Sequence, residues 1–425
     1  MLAEIISNGD EITSGKIVDT NSQLLSAELL ELGIRTGYHT TVGDDRDAML
    51  DVLRIAASRV DLIIWTGGLG PTADDLTRQV IAEFANVPLV LNEDSLKYIK
   101  SLFAKRGYEM PESNKIQALQ PKNATPIHNP QGTAPGIDII VKKQNNTQTQ
   151  TDHKTNKTKT EPQINDFKNH VRIMAFPGVP AELKEMWNLS AKNSINNMIL
   201  KFAGQKNVIR THSIHCFGRG ETAIEEMLPD IINRNHTPRV GITASQGTIT
   251  LRILAEADNE ENCRKQITTI ANLIHEKLGE LIYGENDDRL QDIICRQLNR
   301  AKKSVAVIET GTRGKLTQAI TDSKESQNCF KGGIILAPNE TQSANNEIES
   351  YQNLFKTDYI ISIGNYTKEN TPPKKQITKI TILEKDQNNN LNIKTQEDFN
   401  FAGHSDIKDD MHVKFTLNLF RKFLQ

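Results

Sequence analysis

The chain has 425 residues, 37% of them hydrophobic and 24% charged, with a formal net charge of −2; at about 100–200 residues per domain that predicts two to four domains, and it gives no general pull toward nucleic acid or anionic lipid. No apolar run reaches the ~18 residues of a membrane helix, and the start MLAEIISNGDE lacks the basic-then-apolar pattern of a signal peptide. The four cysteines, Cys216, Cys263, Cys295 and Cys329, are scattered without a C-x-x-C pair, which predicts free thiols in a reducing cytoplasm rather than disulfides or a zinc site.

The first segment alternates strand and helix signals. Ala3–Ser7 is a short apolar run followed by a polar turn, Asn8–Glu11. Asn21–Leu32 places Leu24, Leu25, Ala27, Leu29 and Leu30 at helical spacing and stops at Gly33. Ile34–Val42 reads as a strand, Arg46–Ser58 as an amphipathic helix, Asp61–Trp65 as a short buried strand, and Thr77–Phe84 as a helix. Repeated β-loop-α units predict a parallel sheet with helices on both faces, and such sheets bind ligands at the carboxyl ends of their strands. Gly136–Val141 and His170–Phe176 are two further strands. The polar run between them, Lys142–Phe167, has too few apolar residues to offset its ordering entropy, so a disordered insertion in a long hairpin loop is expected there. The turn Pro177–Pro180 leads into a helix from Ala181. This first domain is placed at residues 1–200.

Residues 205–285 read as strand (Val208–Phe217), helix (Glu221–Asn233), strands (Arg239–Ile242 and Thr248–Ala255) and helix (Glu260–Leu278), a small α+β module. Residues 286–425 open with a helix (Leu290–Ala301), a strand (Ser304–Glu309) and a helix (Leu316–Asp322). Polar loops at Glu369–Lys375 and Lys385–Asn392 and a last helix, Met411–Phe423, follow. The expected class is α/β: a parallel-sheet sandwich, the α+β module, and a C-terminal α/β domain.

The stretch TGGLGPTADDLT, Thr66–Thr77, lies between a strand and a helix. Thr66, Gly67, Gly68, Gly70 and Thr72 fit a phosphate loop, because glycines let backbone amides approach an anion and the helix start adds its positive dipole. Thr72 is expected to cap that helix, with Asp75 three residues on. Asp74 and Asp75 in a first helical turn repel a bare phosphate. A divalent cation between them resolves the conflict, since Mg²⁺ is held by one or two carboxylates plus substrate phosphates. The competing reading is a plain tight turn with an acidic helix start. Polar clusters recur at other strand ends: Asp10 and Glu11 after the first strand, Asp19 and Asn21 opening the first helix, and Asp44 and Asp45 before the second. Gly132 and Thr133, in the turn Gly132–Gly136, can flank a ligand.

GDEITSGKIVDTN, VGDD, TGGLGPTADDLT, NPQGTAPG and FPGVPAEL, in this order, resemble the competence/damage-inducible protein A (CinA) family, whose N-terminal part is similar to the molybdopterin-binding MoaB/MogA fold. The motifs are dense from Gly9 to Met186. The resemblance implies hydrolysis of ADP-ribose to AMP and ribose 5-phosphate with a divalent metal (Mg, Mn or Co) that neutralises charge on the pyrophosphate and acidifies the attacking water. It also implies active-site roles for Asp75 and Asp44, with Asp74, Asp75, Asp10 and Glu11 as candidate metal ligands and Thr66, Gly67, Gly68, Gly70, Thr72, Gly132 and Thr133 around the ligand.

FGRGETAIEEML and LGELIYG resemble the family's KH-like module. A nucleic-acid-binding KH domain uses a GXXG loop, and the GRG here departs from it, so no nucleic-acid partner is expected. In the third unit, IETGTRG and GGIILAPNETQ stand where the family's amidase domain has AESCTGG and GGVVAYSNEAK. Its serine, tyrosine and lysine fall on Thr310, Ala337 and Gln342, and its TGIAGP segment has no counterpart near Ser362–Thr371. A degenerate nicotinamide-nucleotide amidase domain is therefore expected, in a cytoplasmic homodimer. The alternatives are a molybdopterin-binding protein of the MoaB/MogA type and a non-catalytic interaction protein.

Overall fold

The structure is a computed structural model that describes residues 1–143, 169–203, 208–232, 237–337, 354–368, 376–388, 390–401 and 404–425. It divides into two compact units, Met1–Arg210 with Glu256–Cys263, and Thr211–Ala255 with Arg264–Gln425. No described helix is long and apolar enough to cross a membrane.

The first unit runs β1 (Leu2–Asn8), α1 (Asp10–Thr13), α2 (Thr20–Glu31), β2 (Arg35–Val42), α3 (Arg46–Arg59), β3 (Leu62–Thr66), α4 (Thr77–Phe84), β4 (Leu89–Leu91), α5 (Glu93–Lys105), β5 (Leu119–Pro121), β6 (Thr125–Ile127), β7 (Gly136–Lys142), β8 (His170–Phe176), α6 (Pro180–Met186) and α7 (Lys192–Ala203). Six strands form one sheet in the order β2-β1-β3-β8-β7-β6. The first four are mutually parallel. The sheet is mixed rather than purely parallel, because β7 runs antiparallel to β8 and β6 antiparallel to β7. Alternation along β3 feeds two cores, as the two-residue period of a strand requires: Ile63 and Trp65 pack with Met49, Leu53 and Val80 on one face, Leu62 and Ile64 with Leu25, Leu29 and Trp187 on the other. Asp19 caps α2 by accepting from Ser22 N at 2.9 Å, and α2 ends where Gly33 adopts φ +80°, a left-handed turn that favours glycine.

β7 and β8 pair from Ile137↔Ala175 to Lys142↔His170, so they are hairpin neighbours. The expected disordered insertion, from residue 144 on, lies outside the described residues. Residues 85–135, to which the sequence assigns little, contain α5 and the two-stranded pair β4-β5.

Next along the chain come β9 (Val208–Phe217), α8 (Glu221–Met227), β10 (Arg239–Ser245), β11 (Thr248–Ala257), α9 (Glu260–Leu278) and β12 (Ile282–Glu285), whose four strands form a sheet of order β10-β11-β9-β12. The expected helix Glu221–Asn233 stops at Met227, where Leu228 turns inward into the core and leaves helical geometry. The chain continues with α10 (Leu290–Ala301), β13 (Val305–Glu309), α11 (Lys315–Thr321), α12 (Ser326–Cys329), β14 (Phe330–Ile335), β15 (Tyr359–Ile363), β16 (Thr367–Lys368), β17 (Gln376–Lys385), β18 (Leu391–Phe401) and α13 (Lys408–Phe423). β14, β13 and β15 are parallel, and β17 and β18 extend the sheet antiparallel. The expected loop Lys385–Asn392 holds the connection between β17 and β18, but the long strand β18 that follows it is not among the expected elements. Polar side chains mislead here because most of β18 is solvent-exposed, and its ladder to β17 is made by backbone. All four cysteines are buried free thiols.

Candidate active site

The carboxyl ends of the parallel strands of the first unit open into a cleft of about 620 Å³. One buried amide organises it. Asn8, the last residue of β1, accepts from Trp65 Nε1 at 2.7 Å and Thr77 Oγ1 at 3.2 Å, and its Nδ2 donates to Asp44 Oδ1 at 2.8 Å. It thereby joins the ends of β1 and β3, the start of α4 and the turn after β2. Asp44 and Asp10 are bound reciprocally: Asp10 N donates to Asp44 Oδ2, and Asp44 N to Asp10 Oδ1, each at 3.1 Å. The adjacent Asp45 caps α3 by accepting from Ala48 N at 2.8 Å. The acids of this turn therefore have different roles, and only Asp44 faces the cleft.

The glycine loop follows β3. Gly67 and Gly68 have φ +107° and +63°, and a side chain on Gly67 would meet the Asn8 carbonyl oxygen, so both need glycine. The amides of Gly68 and Leu69 donate to no atom among the described residues, and Leu69 is itself buried. Gly68 is half-buried and both residues line the cleft, so their unpaired amides can receive an anion. Thr77 Oγ1 donates to Gly67 O at 2.9 Å and closes the loop from behind.

Two expectations about this loop are corrected. The helix begins at Thr77, so Asp74 and Asp75 lie in the turn before it rather than in its first turn. Thr72 does not cap it: Thr72 donates, through its amide at 2.8 Å and through its hydroxyl, to Asp75 Oδ2. Asp75 Oδ1 accepts from Gly70 N at 2.7 Å. Asp75 thus braces the loop from within. Behind it Arg78 is fully buried and donates to the carbonyl oxygens of Leu69 and Gly70 at 2.5 and 3.3 Å. Burial pushes its guanidinium down to about 10, and the charge of Asp75 opposes that shift. The Thr72 hydroxyl is also within reach of Asp74 and holds that carboxyl below its ordinary range.

Of the residues singled out in the sequence, Thr66, Gly67, Gly68, Gly70, Asp74, Asp75, Asp44, Glu11 and Thr133 line the cleft. Asp10, Thr72 and Gly132 lie outside its wall. The Gly132 amide donates to Asn129 Oδ1 at 2.8 Å, and Gly132 sits so close to Glu182 that a side chain would not fit. Asp19, Asn21 and Glu182, which fall within the quoted motifs, also line the cleft, as do Asn8 and Gln117, which no motif announces. Arg78 had a weak signal, a cation one residue past the motif and beside the apolar Val80 and Ile81. Among the described residues no three His, Cys, Asp or Glu side chains are placed to hold a metal ion. Asp75 already accepts three hydrogen bonds, and Asp10 is turned to Asp44. The donor set therefore fits a divalent cation in one mode, carried in with phosphate oxygens and met by one or two of the cleft carboxylates Glu11, Asp44 and Asp74.

Residues 4–197 match the family described as "Probable molybdopterin binding domain", and residues 211–284 match "Damage-inducible protein CinA KH domain". The chain is 35% identical over 340 residues to the CinA-like protein of Dictyoglomus thermophilum, spanning 80% of this chain and 75% of that one. It is 35% identical over 343 residues to the CinA-like protein of Nostoc punctiforme, with the same shares. A crystal structure of CinA from Thermoplasma acidophilum, described as of unknown function, is similar at 27% identity over 45% of this chain and 98% of that chain, with a TM-score of 0.36.

Proposed function

Because the chain belongs to the CinA-like family, we propose that its first unit is a divalent-cation-dependent pyrophosphatase that hydrolyses ADP-ribose to AMP and ribose 5-phosphate. The observation that carries this reading is the meeting, in one cleft, of two unpartnered loop amides with the carboxylates of Glu11, Asp44 and Asp74. The amides of Gly68 and Leu69 hold phosphate oxygens and stabilise charge as it develops there. Asp75 and Arg78 are positioning residues that keep those amides aimed. Asp44, fixed by Asn8 and the Asp10 amide, is the carboxylate best held to receive a proton from the attacking water. Water adds to one phosphorus, the bridging P–O bond breaks, and the bridging oxygen leaves with the other phosphate. A divalent cation, when bound, supplies charge neutralisation at the pyrophosphate. The test is AMP release from ADP-ribose with and without EDTA. A second reading, binding of a molybdopterin-like ligand in the same cleft, is favoured by the family match over residues 4–197. Thermal-shift assays with nucleotides and with pterins, with and without Mg²⁺, separate the two.

We also propose that the C-terminal unit does not deamidate nicotinamide mononucleotide. Thr310, at the position of the family's nucleophile, is 6% exposed, and a hydroxyl needs a base before it can attack. Ala337 replaces the family's tyrosine, and Gln342, at the lysine position, lies outside the described residues. Tyr366 does reach this loop, its ring facing Gly311. Its hydroxyl donates to Asp409 Oδ1 at 2.9 Å, and burial together with that carboxylate pushes the phenol well above its ordinary value, so it is a poor base. Lys315 is paired with Asp410 at 3.0 Å.

A further inference from the structure

Two of the four cysteines meet in one core. Cys295 lies within α10 and Cys329 ends α12, and both are fully buried in the apolar cluster that holds Leu298, Val305 and Ile320. Their thiols share a hydrogen bond. That bond holds Cys329 below its ordinary 9.0, helped by a backbone amide and the charge of Lys331 and opposed by burial. The same bond, together with burial, pushes Cys295 up. Cys216 and Cys263 behave differently: burial pushes Cys216 up to about 12, and it raises Cys263 as well. Since the thiolate is the reactive form, Cys329 is the nucleophile of the set. A polar cavity of about 350 Å³ lies next to the pair, lined by Asn299, Lys302, Lys303, Ser304, Asn328 and Lys331. Asn299 stands one turn beyond Cys295 on α10, and Asn328 directly precedes Cys329. Asn299 Nδ2 donates to Glu325 O at 2.9 Å, and Cys329 Sγ donates to the same oxygen at 3.7 Å, so the thiol sits one side chain behind the cavity wall. The cavity is at the amino ends of β13 and β14, whereas Thr310 follows the carboxyl end of β13, so it is separate from the amidase-like site. Lys303 is paired with Asp358 Oδ1 at 3.1 Å. No ion pair holds Lys302 or Lys331 among the described residues, and no carboxylate lines the cavity, so its field favours an anion.

We propose that Cys295 and Cys329 are a dithiol site, oxidised to a disulfide by a small carboxylate-bearing disulfide that docks on Lys302 and Lys331. The inference is independent of the nucleotide reading of the first unit. The Cys329 thiolate attacks one sulfur of the docked molecule, whose S–S bond breaks, and the outer half leaves and takes a proton from water. Cys295 then attacks the Cys329 sulfur of the mixed disulfide. A new S–S bond joins α10 to α12, and the second half leaves with the proton that Cys295 gives up. The chain is oxidised by two electrons, and the small disulfide is reduced to two free thiols. The cross-link closes the segment that holds β13 and α11, which restrains the unfolded chain more than the native one.

The test treats the full chain with oxidised glutathione, an anionic disulfide, and with cystamine, a cationic one. Non-reducing peptide mass spectrometry then maps the bonds formed, a readout that needs no variant. Expected is a Cys295–Cys329 link, with Cys216 and Cys263 still free. The oxidised chain should melt about 5–10 °C higher than the reduced one, a shift absent from Cys295→Ala treated alike. Lys302 and Lys331 are exposed, so the fold should tolerate Lys302→Gln with Lys331→Gln. In that double variant the ratio of the two oxidation rates, anionic over cationic, should fall about three- to tenfold. Four free thiols after treatment with both reagents, a link between other cysteines, or mixed disulfides that never resolve would overturn the dithiol site. A Cys295–Cys329 link whose rate ratio is the same in the double variant would overturn the docking cavity.

Discussion

Replacing Asp75 by alanine strips the glycine loop of three hydrogen bonds at once, from Gly70 N at 2.7 Å, from Thr72 N at 2.8 Å and from the Thr72 hydroxyl. A bond to a charged acceptor contributes about 1.5–3 kcal/mol when buried. Asp75 is only half-buried and Thr72 is exposed, so water screens part of that, and the three together are worth about 2–4 kcal/mol. The change also removes the anion nearest the buried Arg78. Both losses fall on the loop, while the two hydrophobic layers of the sheet keep every contact. Turnover of ADP-ribose should therefore fall about 10²–10³-fold in kcat/KM, the scale of losing aligned amide donors. Melting should drop by several degrees, at about 2–4 °C per kcal/mol for a domain of this size. Asp75→Asn keeps one carbonyl acceptor, so it should recover part of the rate, with half-maximal activity at the parent chain's cation concentration. The assay is AMP release across a cation titration for the three proteins. If excess cation alone restores Asp75→Asn, Asp75 is a cation ligand and the brace is refuted. Normal turnover by Asp75→Ala would take the loop out of the reaction altogether.

Hydrolysis of ADP-ribose should vanish in EDTA and return with Mg²⁺, Mn²⁺ or Co²⁺; turnover that ignores EDTA would exclude a cation role. Ammonia release from nicotinamide mononucleotide should match a blank at high protein concentration, and a rate abolished by Thr310→Ala would instead make Thr310 a working nucleophile. Asn8→Ala leaves the Trp65 indole N–H and the Asp44 carboxylate without their shared partner. It should cost about 2–4 kcal/mol in denaturant unfolding of the first unit, and a loss below 0.5 kcal/mol would show that Asn8 does not organise the site. His412 is buried among Tyr366, Phe399 and Phe401. Burial, with Lys408 nearby and only partly offset by the Lys408 carbonyl and Asp409, lowers its pKa from the ordinary 6.5. The native imidazole thus stays neutral where the unfolded one takes a proton, so stability is full above about pH 6.5 and falls below it, by at most about 1.4 kcal/mol per pH unit. His412→Phe should flatten that slope in pH-dependent unfolding; an unchanged slope would assign the acid sensitivity to other groups.

The primary structure by itself settled the local elements whose apolar period and punctuation agree. Leu24 to Leu30 with Gly33 gave α2, the period of Met49 to Ala57 gave α3, and Gly67, Gly68 and Gly70 marked the phosphate loop between a strand and a helix. These are short-range facts, carried by side-chain spacing and by residues that alone tolerate a left-handed backbone. It could not settle β18, because an exposed strand is held by backbone bonds to a partner and needs no apolar face of its own. Nor could it tell apart the acids of the cleft. Asp75, Asp44, Asp45 and Asp10 look alike along the chain, and their roles as brace, cleft carboxylate, helix cap and partner of Asp44 follow from which amide folding places opposite each. The link from Asn8 to Asp44, 36 residues away, and from Asn21 to Gly178, 157 residues away, exists only once the sheet aligns the ends of its strands. A hydrogen bond reaches about 3 Å, so what a polar group does is fixed by its neighbours in space, and those are a product of the tertiary structure.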